Sequence, residues 1–318
     1  MKSFFQNYLD YPDQIYSFID FSEFQDDKKN LYYVYGIFTA EIPEGYKNRI
    51  YYNVEEPNGL FHTGKLLSER VVAGRQLNHG WTQILQMCPY STDWLRNVLG
   101  QTQYVQCNHF PLFDFKIIPD LANTPKIYDF MFQGSLHGYK KEFSKAIDIM
   151  TGYKHVWCTL QTDAPDPRKT HINVPYAEKI KLCAQTKMTI LDNRLYEAYP
   201  GEYVQKVKSL PEWQKNEAFS HIEEGTLPQF KVKGLEHMIT RGLCLVKRDH
   251  WDIMERLGFK DGEHFLYFDE FYELDSVVQE CLSNWDACEV IIENAYQKVY
   301  SECSAKAFYE RYLKPYDC

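Results

Sequence analysis

Short apolar runs alternate with amphipathic segments along nearly the whole chain, and this alternation restricts the possible folds more than any other feature of the sequence. Strand-like runs at residues 31–38 and 49–54 precede a segment of helical spacing at 65–77. The pattern resumes later, where a strand-like run at 155–160 precedes a helix-like segment at 176–184. Strands that alternate with helices predict parallel sheets flanked by helices.

A polar stretch with two prolines at residues 117–125 interrupts the alternation and is the best linker candidate. The chain has 318 residues, which is enough for two domains. We therefore predict a Rossmann-like domain at 1–122, a second one at 123–300 and a helical tail at 301–318. In sheets of this kind, ligands bind at the carboxyl ends of the strands.

Composition and charge exclude several classes of function. The chain has 35 Lys and Arg against 44 Asp and Glu, a net charge of −9, which disfavours nucleic acid as a main partner. The nine cysteines are scattered and never spaced C-x-x-C, which predicts thiols in a reducing, cytoplasmic compartment rather than disulfides or a zinc site. The chain has no apolar run of ~20 residues and no leader-like start, which predicts neither a transmembrane segment nor secretion.

Two carboxylates, Glu55 and Glu56, follow the apolar run YYNV and precede the turn Pro-Asn-Gly in residues 51–59. A carboxylate at the end of a strand is suited to act as a general base on a hydroxyl, provided that it is held rigidly. Adjacent side chains of an extended segment point in opposite directions, so only one of the two would face a ligand. The alternative is that both are solvated loop acids.

A glycine turn, Gly134-Ser135, follows the apolar run 127–132 and precedes a helix-like segment. Such a turn offers backbone N–H groups to an anion. The sequence here matches neither the dinucleotide fingerprint G-x-G-x-x-G nor the P-loop G-x-x-x-x-G-K-[ST], which argues against a Rossmann dehydrogenase and a P-loop ATPase. The alternative to an anion site is that Gly134 serves only the geometry of the loop.

The most specific segment, residues 228–246, has the sequence PQFKVKGLEHMITRGLCLV. Lys231 and Lys233 are placed to neutralise a diphosphate at the start of a short helix, and Glu236 is placed to accept two hydroxyls of a ribose. The alternative is an acid that only complements the helix dipole. Lys179 falls on a helix directed at the same edge of the sheet and is predicted to contribute to the donor site. The alternative is that Lys179 is an ordinary surface lysine.

These segments resemble nucleotide-sugar glycosyltransferases of the GT-B architecture, in particular the group-1-like and exostosin-like branches, as in large algal viruses and bacterial surface-glycan clusters. The resemblance covers residues 127–312 and is looser in the first half, where residues 55–57 and 88–95 carry it. In the second half the matching motifs are a strand ending in glycine at 134, K-x-x-E…G, an acidic Trp-containing helix and G-x-x-F-x-x-F. Here the last three stand at 233–242, 249–255 and 262–268.

The resemblance implies an α/β protein of GT-B type, with two doubly wound domains facing a cleft. It also implies that the second domain binds the donor, that the first binds a glycan or glycoprotein acceptor, and that the tail packs back on the first domain. The family needs neither a metal nor a cofactor. The sequence agrees with this, because no two aspartates stand in the D-x-D spacing of metal-dependent glycosyltransferases.

The chain departs from the family pattern at two places. The family places glycine five residues after its ribose-binding glutamate, whereas Gly242 lies six after Glu236 and five after His237. Gln229 stands where retaining members have an acid, which favours an inverting mechanism with Glu55 or Glu56 as the base.

We therefore predict a cytoplasmic hexosyl- or pentosyltransferase that uses a nucleoside diphosphate sugar, with UDP favoured. For a viral chain, the compartment would be the host cytoplasm. The alternatives are a retaining transferase with the same donor site, a non-catalytic glycan- or nucleotide-binding protein of the same fold and, less favoured, an epimerase of nucleotide sugars.

Overall fold

The computed structural model describes a subset of the chain in two compact units. The described residues are 3–5, 31–36, 45–53, 80–89, 92–93, 96, 102–107, 121, 123–134, 141–159, 165–196 and 226–316. The first unit comprises Met1–Phe113, Arg194–Phe230 and Ala305–Cys318, and the second comprises Asp114–Asn193 and Lys231–Ser304.

The first unit contains a five-stranded parallel sheet in the order β1-β2-β3-β4-β5. Ile50, Tyr51 and Tyr52 of β3 are fully buried, as expected for a central strand covered on both faces. The strands are β1 (Ser3–Phe5), β2 (Leu31–Gly36), β3 (Asn48–Asn53), β4 (Gln83–Gln86) and β5 (Tyr104–Gln106).

The first unit also contains a short antiparallel pair and the helical C-terminus. The antiparallel strands are β10 (Arg194–Tyr196) and β11 (Thr226–Pro228), with Arg194 opposite Pro228. Near the C-terminus, the fully buried ring of Phe308 lies 5.8 Å from that of Tyr52, and Asn48 Nδ2 donates to the Tyr316 carbonyl at 2.7 Å. The terminal segment therefore completes the core of the first unit.

The second unit contains a six-stranded parallel sheet in the order β13-β12-β9-β6-β7-β8. From β6 the chain adds strands on one side, then returns to place β9 on the other side. This order is doubly wound, with its switch point between β6 and β9, where ligands of such sheets bind. The strands are β6 (Tyr128–Gln133), β7 (His155–Thr159), β8 (His171–Ile172), β9 (Thr186–Asp192), β12 (Leu243–Lys247) and β13 (Leu266–Phe268).

Helices join the strands and cover the sheet of the second unit. On the first of them, Phe143, Ala146, Ile147 and Met150 recur at helical spacing and are buried in the same core as Phe130 and Trp157. The helices of this unit are α1 (Lys141–Thr151), α2 (Tyr176–Ala184), α3 (Lys233–Met238), α4 (Ile253–Arg256), α5 (Leu274–Ser283) and α6 (Trp285–Glu302). In the first unit they are followed by α7 (Ala305–Phe308), a π-helix (Tyr309–Leu313) and a 3-10 helix (Lys314–Tyr316).

None of the helices in the described part of the chain combines the length and the apolar character needed to span a bilayer. The eight cysteines described are buried thiols. Two parallel sheets and a helical C-terminal region agree with the predicted α/β class.

The extents of the units differ from the predicted domain ranges. The second unit begins at Asp114, whereas we predicted a boundary after residue 122. The segment Arg194–Phe230, assigned to the second domain by its position in sequence, belongs to the first unit. The last residues of that unit are Ala305–Cys318, close to the predicted tail at 301–318.

Candidate functional site

Gly134 directly follows β6 at the switch point of the second sheet and adopts a φ of +128°, a conformation that side-chain-bearing residues rarely adopt. Its N–H donates to the Cys158 carbonyl at 2.9 Å, and its own carbonyl accepts from Trp157 Nε1 at 2.9 Å. Both groups lie on the neighbouring strand β7. The loop after β6 is therefore anchored at its first residue, while Ser135 lies outside the described residues.

The ammonium of Lys233 lies beside this turn. Its Nζ donates to the Gln133 carbonyl at 2.9 Å and stands 4.8 Å above the Phe132 ring. A Cβ added to Gly134 would lie 3.9 Å from the same Nζ, so the turn passes close to the ammonium. Burial, with the charge of Lys231 adding to it, lowers the pKa of Lys233 to about 7.

The backbone of Lys231 is held by a buried amide side chain. The Lys231 N–H donates at 3.2 Å to Oδ1 of Asn193, a fully buried residue that follows the last residue of β9. This hydrogen bond ties the start of the α3 segment to the carboxyl end of β9. The ammonium of Lys233 and the backbone of Lys231 therefore both lie at the carboxyl ends of β6 and β9.

Glu236 and Lys179 form an ion pair between α3 and α2. Lys179 Nζ lies 3.0 Å from Oε1 and 2.9 Å from Oε2 of Glu236. The Glu236 side chain is 2% exposed and that of Lys179 is 20% exposed. The sequence predicted that both residues bind donor, and the structure places them in contact with each other.

His237 and Gly242 account for the unusual spacing at the end of α3. His237 is fully buried, and a Cβ built on Gly242 would lie 2.2 Å from its Nε2. Burial lowers the pKa of His237 to about 3, so the ring is neutral at pH 7. Gly242 is therefore required by the packing of the His237 ring.

Three buried polar residues at the carboxyl ends of the strands of the second sheet were not among the predicted site residues. Gln133 is the last residue of β6, and Asn193 directly follows β9. Ligands of such sheets bind at the carboxyl ends of strands, and this argument, which selected Glu55, applies equally to Gln133 and Asn193. Asp249 follows β12, is 5% exposed and accepts from the N–H groups of Trp251 and Ile253 at 2.9 and 3.4 Å. Burial raises the pKa of Asp249 to about 6.

The structure brings five of the eight predicted site residues into one part of the second unit. The charges of Lys231, Lys179 and Glu236 all act on the Lys233 ammonium, and Gly134 lies beside it. Glu55, Glu56 and Ser135 lie outside the described residues, so the structure leaves their roles as predictions. Within the described residues, no group of three or more His, Cys, Asp or Glu side chains has the arrangement of a metal site.

Comparison with solved structures identifies the fold. The chain matches HepE from Anabaena, solved in complex with UDP and glucose, with a TM-score of 0.52 and 11% identity, over 84% of this chain and 71% of that chain. It also matches a TarM mutant from S. aureus, solved with Fondaparinux, alpha-GlcNAc-glycerol and UDP, with a TM-score of 0.51 and 8% identity. That match covers 94% of this chain and 57% of the TarM chain.

The chain has the GT-B fold. The fold prediction made from the motifs at 134, 233–242 and 262–268 is thereby confirmed. A second HepE structure, in complex with UDP-glucose, matches with a TM-score of 0.50 and 11% identity over 84% of this chain and 71% of that chain. No family model and no curated protein matches the sequence. Identities this low establish the fold, and the function has to be argued from the site.

Proposed function

We propose that this GT-B protein transfers a sugar from a nucleoside diphosphate donor, with a UDP-sugar favoured, to a hydroxyl of a glycan acceptor. The single observation that supports this most is the cluster of Lys233, Lys231 and Gly134 at the switch point of the second sheet. One ammonium beside a glycine turn and a second lysine on the same segment suit the charge of a diphosphate. HepE, which shares the fold, was solved with UDP-glucose.

The lysine cluster would stabilise the leaving group of the transfer reaction. When the bond between the anomeric carbon and the phosphate oxygen breaks, its electron pair stays on the diphosphate and negative charge builds up there. Lys231 and Lys233 would stabilise that charge, because preorganised cations cost little reorganisation during the reaction. We therefore propose that the reaction proceeds without a bound metal ion.

The nucleoside would lie beside Glu236. A carboxylate accepts hydrogen bonds from two vicinal hydroxyls, which suits a ribose. Because Lys179 now contacts both oxygens of Glu236, donor binding would require this ion pair to open or to share the carboxylate. Lys179, once released, would add a third cation to the diphosphate.

In the inverting form of the reaction, Glu55 or Glu56 removes the proton of the acceptor hydroxyl. The hydroxyl oxygen then attacks the anomeric carbon on the face opposite the diphosphate, forms the new glycosidic bond and displaces the nucleotide. The proton ends on the carboxylate and returns to solvent. A retaining transferase would use the same donor site and give the opposite anomer.

Release of UDP from UDP-glucose, measured with a panel of glycan acceptors in the presence of EDTA, tests this function. We expect acceptor-dependent release that EDTA does not abolish. Glu55→Gln and Glu56→Gln identify the base: the variant that loses kcat while keeping donor KM carried the base. Unchanged turnover in both variants would show that the base lies elsewhere, and the anomer of the product, read by NMR, separates inversion from retention.

A further inference from the structure

Asn193, directly after β9, is a fully buried polar side chain of which only one amide atom has a partner. Its Oδ1 accepts the backbone N–H of Lys231 at 3.2 Å. Because a backbone N–H needs an acceptor, this hydrogen bond fixes which atom of the amide is the oxygen. The other atom, Nδ2, is a buried hydrogen-bond donor for which the described part of the chain supplies no acceptor. A buried donor without an acceptor costs free energy, which indicates that a further group belongs beside it.

The amide of Asn193 lies beside the lysine segment at the switch point of the second sheet. Residues 231–233 contact the carboxyl ends of two neighbouring strands, β6 and β9. The N–H of Lys231 bonds to Asn193 after β9, and Lys233 Nζ donates at 2.9 Å to the Gln133 carbonyl at the end of β6. The unpartnered Nδ2 therefore belongs to the same part of the second unit as the Lys233 ammonium.

The chemistry of this place determines which group would satisfy Nδ2. An amide nitrogen only donates hydrogen bonds, so the missing group is an acceptor. The ammonium of Lys233 on the same short segment favours an acceptor that is also an anion. The diphosphate of a nucleotide sugar fits both requirements, since it presents several oxygens and two negative charges. A hydrogen bond to it from a side chain withdrawn from water is stronger than one at an exposed site.

We propose that Asn193 is a further nucleotide-binding residue, whose Nδ2 donates to a phosphate oxygen of the nucleoside diphosphate sugar. The inference rests on the proposed function and deepens it by adding an uncharged hydrogen-bond donor to the two lysines. The Lys231 N–H holds the amide in place before the nucleotide arrives, so the contact is preorganised. It would strengthen as negative charge builds up on the leaving diphosphate.

Asn193→Asp tests this contact by changing one group. The variant keeps an oxygen for the Lys231 N–H and replaces the amide nitrogen with a second carboxylate oxygen. We expect its affinity for UDP-glucose, measured by isothermal titration calorimetry, to fall by about tenfold or more. Asn193→Ala, which loses both hydrogen bonds without adding charge, should lose about threefold to tenfold. Parent-like affinity in Asn193→Asp would show that the amide only holds Lys231, or that water satisfies Nδ2, and would overturn the inference.

The double variant Asp192→Asn/Asn193→Asp is the matched control for charge. Asp192 is the last residue of β9 and is 3% exposed. Adjacent side chains of a strand point in opposite directions, so an amide at position 192 does not replace the one at 193. The double variant has as many carboxylates as the parent, and we expect its affinity to stay at least about fivefold below that of the parent. Recovery of the parent affinity would show that Asn193→Asp acts through charge alone, and would overturn the inference.

UDP, UDP-glucose and uridine locate the contact within the ligand. A contact with the diphosphate lowers the affinity of Asn193→Asp for UDP and UDP-glucose by the same factor and leaves that for uridine, measured by competition, unchanged. A loss restricted to UDP-glucose would place the contact on the sugar, and an equal loss for uridine would place it on the nucleoside. Either result would overturn the inference and leave the proposed function standing.

The proposed function has a separate test outcome. Failure of UDP-, GDP- and dTDP-glucose to bind to the parent protein would contradict the proposed function itself. Circular dichroism reports whether each variant folds. If Asn193→Asp does not fold, Asn193→Ala takes its place, and parent-like affinity of that variant for UDP and UDP-glucose would overturn the inference.

Discussion

At the scale of single residues, Gly242 leaves less room for a Cβ than the other glycines in the described part of the chain, because the His237 ring lies against it. A methyl group on Gly242 would lie 2.2, 2.3 and 2.7 Å from three atoms of a fully buried imidazole. A ring fixed in a core has little freedom to move away. The glycine six residues after Glu236 and five after His237 therefore meets a packing need of the His237 ring.

Gly242→Ala should reduce the free energy of unfolding by about 2 kcal/mol or more, because the clash is with a rigid buried ring. Urea unfolding monitored by circular dichroism measures the loss. Gly234→Ala is the control: its Cβ would meet the end of the Leu191 side chain at 2.8 Å, and alanine favours the helix that contains it. Equal losses in both variants would contradict the argument.

His237 should make the protein sensitive to acid. Burial lowers the pKa of His237 to about 3, against an ordinary value of 6.5, so the unfolded chain binds the extra proton between these limits. The free energy of unfolding therefore decreases as the pH is lowered below about 6.5. Between pH 7 and pH 5 the decrease due to His237 is about 2 kcal/mol. His237→Leu should remove this part of the pH dependence in urea unfolding, and an unchanged slope would disprove it.

At the scale of elements, the Lys179–Glu236 pair joins α2 to α3 and carries both stability and the proposed donor contact. The Glu236 side chain is 2% exposed, so replacing Lys179 leaves this carboxylate buried without its paired cation. The pair Glu178–Lys181, at 3.7 Å and with side chains 50% and 59% exposed, is the surface counterpart on the same helix.

A double-mutant cycle with Lys179→Met and Glu236→Gln should give a coupling energy of about 1 to 3 kcal/mol, below the full value for a buried pair because Lys179 is partly exposed. The cycle with Lys181→Met and Glu178→Gln should give less than about 0.5 kcal/mol. In a transfer assay, Glu236→Gln should also raise donor KM. Similar coupling energies in the two cycles would contradict the account.

The C-terminal helical segment should be essential to the first unit. Phe308 is fully buried between the rings of Tyr52, at 5.8 Å, and Tyr312, at 5.3 Å. Phe308→Ala should therefore cost about 3 to 4 kcal/mol in thermal or urea unfolding. Val290→Ala, at a side chain 63% exposed on α6, should cost under about 1 kcal/mol. A mild effect of Phe308→Ala would show that the segment is dispensable.

Elements with a strong periodic signal were predictable from the sequence. The predicted helix at 176–184 is α2, and the predicted strand-like runs at 127–132 and 155–160 are β6 and β7 within one residue at each end. The strands β8, β10 and β11 were missed, because two- or three-residue strands carry no measurable alternation. The turn at Gly134 was predictable. The hydrogen bond between Lys233 and the preceding residue, Gln133, was not, because it joins residues 100 positions apart and depends on tertiary packing.

At the scale of the whole molecule, the two units are not consecutive halves of the chain. The segments Arg194–Phe230 and Ala305–Cys318 return to the first unit after most of the second has been built. Local composition marks a linker near residues 117–125 but contains no information about which core a later segment joins. The chain passes from the first unit back to the second between Phe230 and Lys231. The lysines of the candidate site therefore directly follow this change of unit.

The proposed transfer reaction depends on donor binding by the lysines at the switch point of the second sheet. Titration of UDP-glucose into the parent and into a Lys231→Met/Lys233→Met variant, by calorimetry at pH 6.5, tests this most directly. We predict saturable binding to the parent and an affinity at least about tenfold lower in the variant, with both proteins folded by circular dichroism. Equal affinities, or no binding of any nucleotide sugar to the parent, would contradict the account.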